Sequence, residues 1–165
     1  MTDACYRIIH NAFSRAIPIE MTAEESRALY SEEVKTEILE LCKTKKYTPV
    51  IADYLCQLGV DVDFWKEQYT FFQTRNIKIR DFVVCLFQDF HQSGVKSIFV
   101  YENFGALLKS DTDIALYASG DVDLCANESE MPVITEVLNK NGFKLNKNSV
   151  PFFKTLRVAF SGKIH

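Results

Sequence analysis

Asp121 and Asp123 stand one residue apart in the stretch Ser119-Gly120-Asp121-Val122-Asp123-Leu124. The stretch reads as part of a β-strand. Residues at i and i+2 of a strand point to the same face, so both carboxylates can reach one divalent cation. Gly120, just before them, lets the backbone or a ligand phosphate come close. Oxygen-only ligands suit Mg²⁺, which keeps part of its coordination shell for water and substrate phosphates. The chemistry such a pair supports is phosphoryl or nucleotidyl transfer.

The chain carries its own control for this motif. Asp61-Val62-Asp63 has the same spelling, also after a glycine-apolar pair, Gly59-Val60. There, however, the first Asp follows a helix-stop glycine and precedes Phe64-Trp65-Lys66-Glu67-Gln68-Tyr69, whose spacing is helical. That pair reads as an N-cap and a first-turn charge, favourable to the helix dipole. The surroundings of Asp121 differ: an apolar strand Ser97-Ile98-Phe99-Val100-Tyr101 upstream, the stretch Asn103 to Leu108 between, and a helix after.

The elements that must position these residues fall into two regions. Residues 3 to 16 suit a short amphipathic helix stopped near Pro18. Thr22 with Glu25 spells a capping box that opens a helix toward Tyr30. Ser31 caps Glu32 to Lys43, with Val34, Ile38, Leu41 and Cys42 on one face. Thr48-Pro49 starts the next helix and Gly59 closes it. Asp61 caps a helix to about Arg75, and another runs from about Ile79 to Gln92, with Phe82, Val83, Leu86, Phe87 and Phe90 as a core stripe and Gly94 as its stop. After Gly94 the period changes from 3.6 to 2. Strands are expected over 97–101, 118–126 and 152–160, a helix over 128–141 ended by Gly142, and a tight turn at Ser161-Gly162. The expected architecture is α+β, with residues 1–93 a helical region and 94–165 a small mixed-sheet core with helices on one face.

Composition narrows the function classes. At 165 residues, with 47% hydrophobic residues and 13 Phe, the chain has material for a folded core. Its net charge of −3 provides no global field for a nucleic-acid backbone, so no nucleic-acid partner is indicated. No window approaches an uncharged apolar run long enough to cross a membrane, and the first residues do not spell a signal peptide. The 5 cysteines are odd in number and widely spaced, with neither a C-x-x-C nor a Cys/His cluster. They read as buried free thiols in a reducing compartment, and the expected location is cytoplasmic. Calcium loops are excluded by spelling. Counting from Asp111 puts Leu116 and Val122 where Gly and Glu are needed, and counting from Asp121 puts Ala126 and Pro132 there.

The order Gly105-Ala106, then about fifteen residues, then Gly120-Asp121-Val122-Asp123-Leu124, then a helix ending in Asn141-Gly142-Phe143 resembles the nucleotidyltransferase superfamily of DNA polymerase β. Within it, the chain is most similar to the bacterial uncharacterised nucleotidyltransferases. The likeness covers roughly residues 65 to 160, and its specific piece is the Gly-Asp-x-Asp strand. It implies a polymerase β-like core in which Asp121 and Asp123 bind catalytic Mg²⁺. It also implies a nucleotide site in which Gly105, Ala106 and the following amides meet the phosphates, and in which Ser119 and Gly120 line the same pocket.

The implied function is transfer of a nucleoside monophosphate from a nucleoside triphosphate such as ATP to an unknown acceptor. In this chain the turn reads Glu102-Asn103-Phe104-Gly105, without the family's lysine, and Lys109 is the nearest cation to stand in for it. The loop Ala115 to Ser119 lacks the family's arginine, and no Asp or Glu follows Glu136 to act as the third acid. The resemblance therefore carries two further expectations. One is a core apparently truncated at its C-terminal end, binding nucleotide with little turnover. The other is a homodimer through the sheet edge left open there. An alternative is a non-catalytic nucleotide- or protein-binding module that retains the fold. A glycosyltransferase using Asp-x-Asp is disfavoured, because about 70 residues are too few for a sugar-nucleotide domain.

Overall fold

The computed structural model describes residues 2–101, 105, 108, 113–117, 122–145 and 160–161. The architecture is α+β: six α-helices are described, together with strands that pair only antiparallel. Helices α1 (Asp3–Phe13), α2 (Ala23–Ala28), α3 (Glu32–Lys45), α4 (Thr48–Gln57) and α5 (Val62–Gln92) come first. Strands β1 (Ile98–Tyr101) and β2 (Asp123–Ala126), helix α6 (Met131–Lys140), and the short strands β3 (Lys144–Leu145) and β4 (Phe160–Ser161) follow. Among the described residues no helix is long and apolar enough to cross a membrane.

Local chemistry sets the helix ends. Thr22 accepts the Glu25 amide while the Glu25 carboxylate accepts the Thr22 amide, which is the expected capping box. Ser31 accepts the Val34 amide at the start of α3. At the end of α5, Gly94 takes φ +83°, its amide bonds His91 O and the Val95 amide bonds Phe90 O, both at 3.0 Å. This Schellman closure needs a left-handed residue at Gly94, and it turns Val95 back into the cluster that holds Phe90. Asn139, Gly142, Leu138 and Phe143 repeat the arrangement after α6.

The expectation of two helices across 61–92 is corrected: α5 is a single helix of 31 residues. Between Arg75 and Ile79 the chain holds Asn76, Ile77 and Lys78, with no Gly or Pro to interrupt the ladder.

The chain packs as two compact units, one of Met1–Asn76 with Asp113–Gly120 and the other of Ile77–Thr112 with Asp121–His165. In the first, the stripes Ala4, Cys5, Ile8 and Ala12 of α1 and Val34, Ile38 and Cys42 of α3 meet Ile51, Ala52 and Leu55 of α4 and Trp65 of α5. Each stripe repeats at three or four residues, so one face of each helix is removed from water. Burial presses the Cys5 thiol up to about 11 and the Cys42 thiol up to about 12.

In the second unit, Leu86 and Phe90 of α5 join Ile134, Val137 and Leu138 of α6, with Ile98, Leu124 and Ala126 packed against them from the strands. The stripe expected from Phe82 to Phe90 is therefore core. A carboxylate ties α6 to the strand pair: Glu130, just before α6, accepts the Lys96 amide at 2.9 Å, the Ser97 amide at 3.0 Å and the Ser97 hydroxyl at 2.5 Å. The described strands form two antiparallel pairs, β1 with β2 and β3 with β4. Ser161, expected in a turn, lies in β4 opposite Lys144. A wider mixed sheet would have to draw on segments outside the described residues, where most of the expected strand 152–160 also lies.

Candidate functional site

The strand pair β1–β2 presents the candidate carboxylate. Its register sets Ile98 opposite Ala126, Phe99 opposite Cys125, Val100 opposite Leu124 and Tyr101 opposite Asp123. Ile98, Leu124 and Ala126 belong to the core cluster, so pleating turns Phe99, Tyr101, Asp123 and Cys125 to the opposite face. On that face Phe99 is 58% and Tyr101 51% exposed, and Asp123 is exposed. Among the described residues the Asp123 carboxylate has no hydrogen-bond or ion-pair partner. A hydrated carboxylate of this kind suits Mg²⁺, which takes one or two protein carboxylates and fills its shell with water and phosphate. Among the described residues no group of three His, Cys, Asp or Glu side chains gathers into a metal cluster.

Of the other predicted site residues, only Gly105 is described. A Cβ placed on Gly105 would meet no heavy atom of a described residue within 4 Å. Asp121, Ala106, Lys109, Ser119 and Gly120 lie outside the described residues. Of the control pair, Asp63 lies in the first turn of α5 as anticipated, while Asp61, just before the helix, takes φ +39° and its carboxylate takes an ion pair from Lys35 Nζ at 2.6 Å.

Two groups of residues were not singled out from the sequence. The sequence identifies Phe99 and Tyr101 only as strand residues. Their period-2 alternation with Ile98 and Val100 was the available signal, but which face met the core depended on the pairing.

The second group is a polar anchor in the first unit. Asp113 accepts the Ala115 amide on Oδ1 at 3.0 Å and the Tyr69 hydroxyl on Oδ2 at 2.6 Å. Burial first, and then this bond to a carboxylate, hold the Tyr69 phenol far above its ordinary pKa. The Asn76 amide donates to Ile114 O and to Tyr117 O, each at 2.6 Å. Between these anchors Ala115 is fully buried, in the short 3₁₀ turn Ile114–Leu116. Position 76 lies where the sequence suggests a gap between two helices, so no sequence signal singles it out.

Family models, curated proteins and solved structures were all compared with the chain, and none matches it.

Proposed function

We propose that this chain is a Mg²⁺-dependent nucleotidyltransferase with a polymerase β-like core, moving a nucleoside monophosphate from a nucleoside triphosphate to an acceptor. The observation that carries the reading is Asp123: an exposed carboxylate on the first residue of a strand, within Gly120-Asp121-Val122-Asp123, on the face opposite the core. Asp121 and Asp123 would hold the metal. When bound, it would supply charge neutralisation at the phosphates and lower the pKa of an attacking oxygen.

The remaining roles fall to the protein's own groups. At Gly105, where a Cβ would meet no heavy atom of a described residue within 4 Å, a phosphate would approach the backbone, and Lys109 would offset part of its charge. Phe99 and Tyr101, exposed on the face of Asp123, offer rings on which a base can stack. In the transfer, the acceptor oxygen bonds to the α-phosphorus, the bond from that phosphorus to the bridging oxygen breaks, and pyrophosphate leaves with the electron pair.

A second reading is a nucleotide-binding module without turnover. It is favoured by the absence of lysine in Glu102-Asn103-Phe104 and of arginine in Ala115 to Ser119. Calorimetric titration of the full chain with each of the four NTPs, with Mg²⁺ and with EDTA, tests what the two readings share. Release of labelled pyrophosphate then separates them. Mg²⁺-dependent binding with release supports the transferase, binding without release supports the module, and no binding of any NTP overturns both.

A further inference from the structure

Within the second unit, α5 carries four surface residues in one row. Ile77, Arg80, Asp81 and Val84 stand at positions i, i+3, i+4 and i+7, so they share one side of the helix. Ile79, Val83, Leu86 and Phe90, from the same stretch, are buried and point elsewhere. Ile77 is 37% and Val84 44% exposed, with the charges of Arg80 and Asp81 between them. Two β-branched side chains at such positions are weak helix formers that gain little burial within one chain. Arg80 and Asp81 pair with each other at 3.1 Å, but an exposed pair of this kind contributes little and leaves both charges open to a further partner.

The row is complementary to itself. Two copies of α5 set antiparallel about a twofold axis between positions 80 and 81 bring Ile77 to the partner's Val84 and Arg80 to the partner's Asp81, and the axis repeats both contacts. Apolar then meets apolar and each charge meets its opposite. A parallel pair would set every residue against its own copy, Arg80 on Arg80 and Asp81 on Asp81, and such like-charge contacts are unfavourable. We infer that this side of α5 is a self-association surface, joining two copies of the chain antiparallel through Ile77, Arg80, Asp81 and Val84. Four side chains from each copy fall short of the about 1,200 Å² that marks a stable interface, so the association is transient and driven by concentration. The inference is independent of the nucleotidyltransferase reading, and it uses a helix face rather than a sheet edge.

Sedimentation of the full chain up to millimolar concentration tests this, with the wild type, Arg80→Asp, the double exchange Arg80→Asp/Asp81→Arg, and Val84→Glu. The wild type is expected to pass from monomer to dimer as concentration rises. Arg80→Asp sets carboxylate against carboxylate in both contacts, and the dimer is expected to weaken about tenfold. The double exchange restores opposite charges and is expected to bring the dissociation constant back to within about threefold of wild type. Circular dichroism checks that each variant is folded. Should Arg80→Asp lose helix, Val84→Glu, a good helix former at an exposed position, is expected to weaken the dimer by a similar factor. Cys85, which is exposed, reports the orientation. In the antiparallel pair each Cys85 lies four to five residues beyond the axis, so the two stand about 14 Å apart along the helices. Disulfides need Cα atoms within about 7 Å, so mild oxidation of the dimer is expected to give no Cys85–Cys85 bond by mass spectrometry. Four results each overturn the inference: a chain that stays monomeric throughout, a dimer that tolerates Arg80→Asp or Val84→Glu as one through a sheet edge would, a double exchange no tighter than the single, or a ready Cys85–Cys85 disulfide.

Discussion

Asp123 stands directly opposite Tyr101 across the β1–β2 ladder, on the face turned away from the core. Directly opposed residues of an antiparallel pair have neighbouring side chains, so the carboxylate is flanked by a ring rather than by a charge. Replacing Asp123 by Asn keeps shape and hydrogen-bonding capacity but removes the charge proposed to hold the metal. Mg²⁺-dependent nucleotide binding is expected to be abolished, while chemical denaturation shifts by no more than about 0.5 kcal/mol, as for other exposed positions. Wild-type affinity in Asp123→Asn would show that the metal is held elsewhere.

Glu130 makes the second unit sensitive to acid. Hydrogen bonds from the Ser97 hydroxyl, then the Lys96 amide, hold its carboxyl below the usual glutamate range. A depressed folded-state pKa contributes stability that is present above the unfolded value, about 4.3, and is lost as pH falls through the folded value. Urea denaturation at neutral pH and at about pH 3 is expected to show a loss that Glu130→Gln reduces. An identical pH dependence in wild type and Glu130→Gln would remove Glu130 from the account.

Thiol accessibility follows packing. Cys85 is exposed, Cys56 and Cys125 are half-buried, and Cys5 and Cys42 are buried with their pKa values raised to about 11 and about 12. A disulfide reagent at neutral pH is expected to label Cys85 first, Cys56 and Cys125 more slowly, and Cys5 and Cys42 only after denaturant is added. Labelling of Cys42 in the native protein, read by mass spectrometry, would contradict the packing of α1 on α3.

Phe90 anchors the core of the second unit and is fully buried. Phe90→Ala removes a ring from between α5 and α6 and is expected to cost about 3–5 kcal/mol in equilibrium unfolding. A cost under about 1 kcal/mol would mean the ring is not enclosed as described.

What the sequence determined by itself was what local chemistry settles. The capping box at Thr22 and Glu25, the Ser31 cap and the stops at Gly94 and Gly142 each involve groups within a few residues of one another, and the helices begin and end there. The apolar stripes of α1, α3 and α5 were legible for the same reason, because one period defines one face. The Asp121-Val122-Asp123 spacing was also visible, though only Asp123 falls among the described residues.

Only tertiary structure decided that α5 is continuous, since nothing local separates an interrupted apolar stripe from a helix that changes what it packs against. It alone decided that Asp123 faces away from the core beside Tyr101, because strand register depends on a partner more than twenty residues away. It alone brought residues 113–117 under Tyr69 and Asn76, through bonds spanning 38 to 44 residues. Contacts of that range leave no periodic trace in a sequence: they arise when a buried amide must find acceptors and the chain that supplies them lies elsewhere.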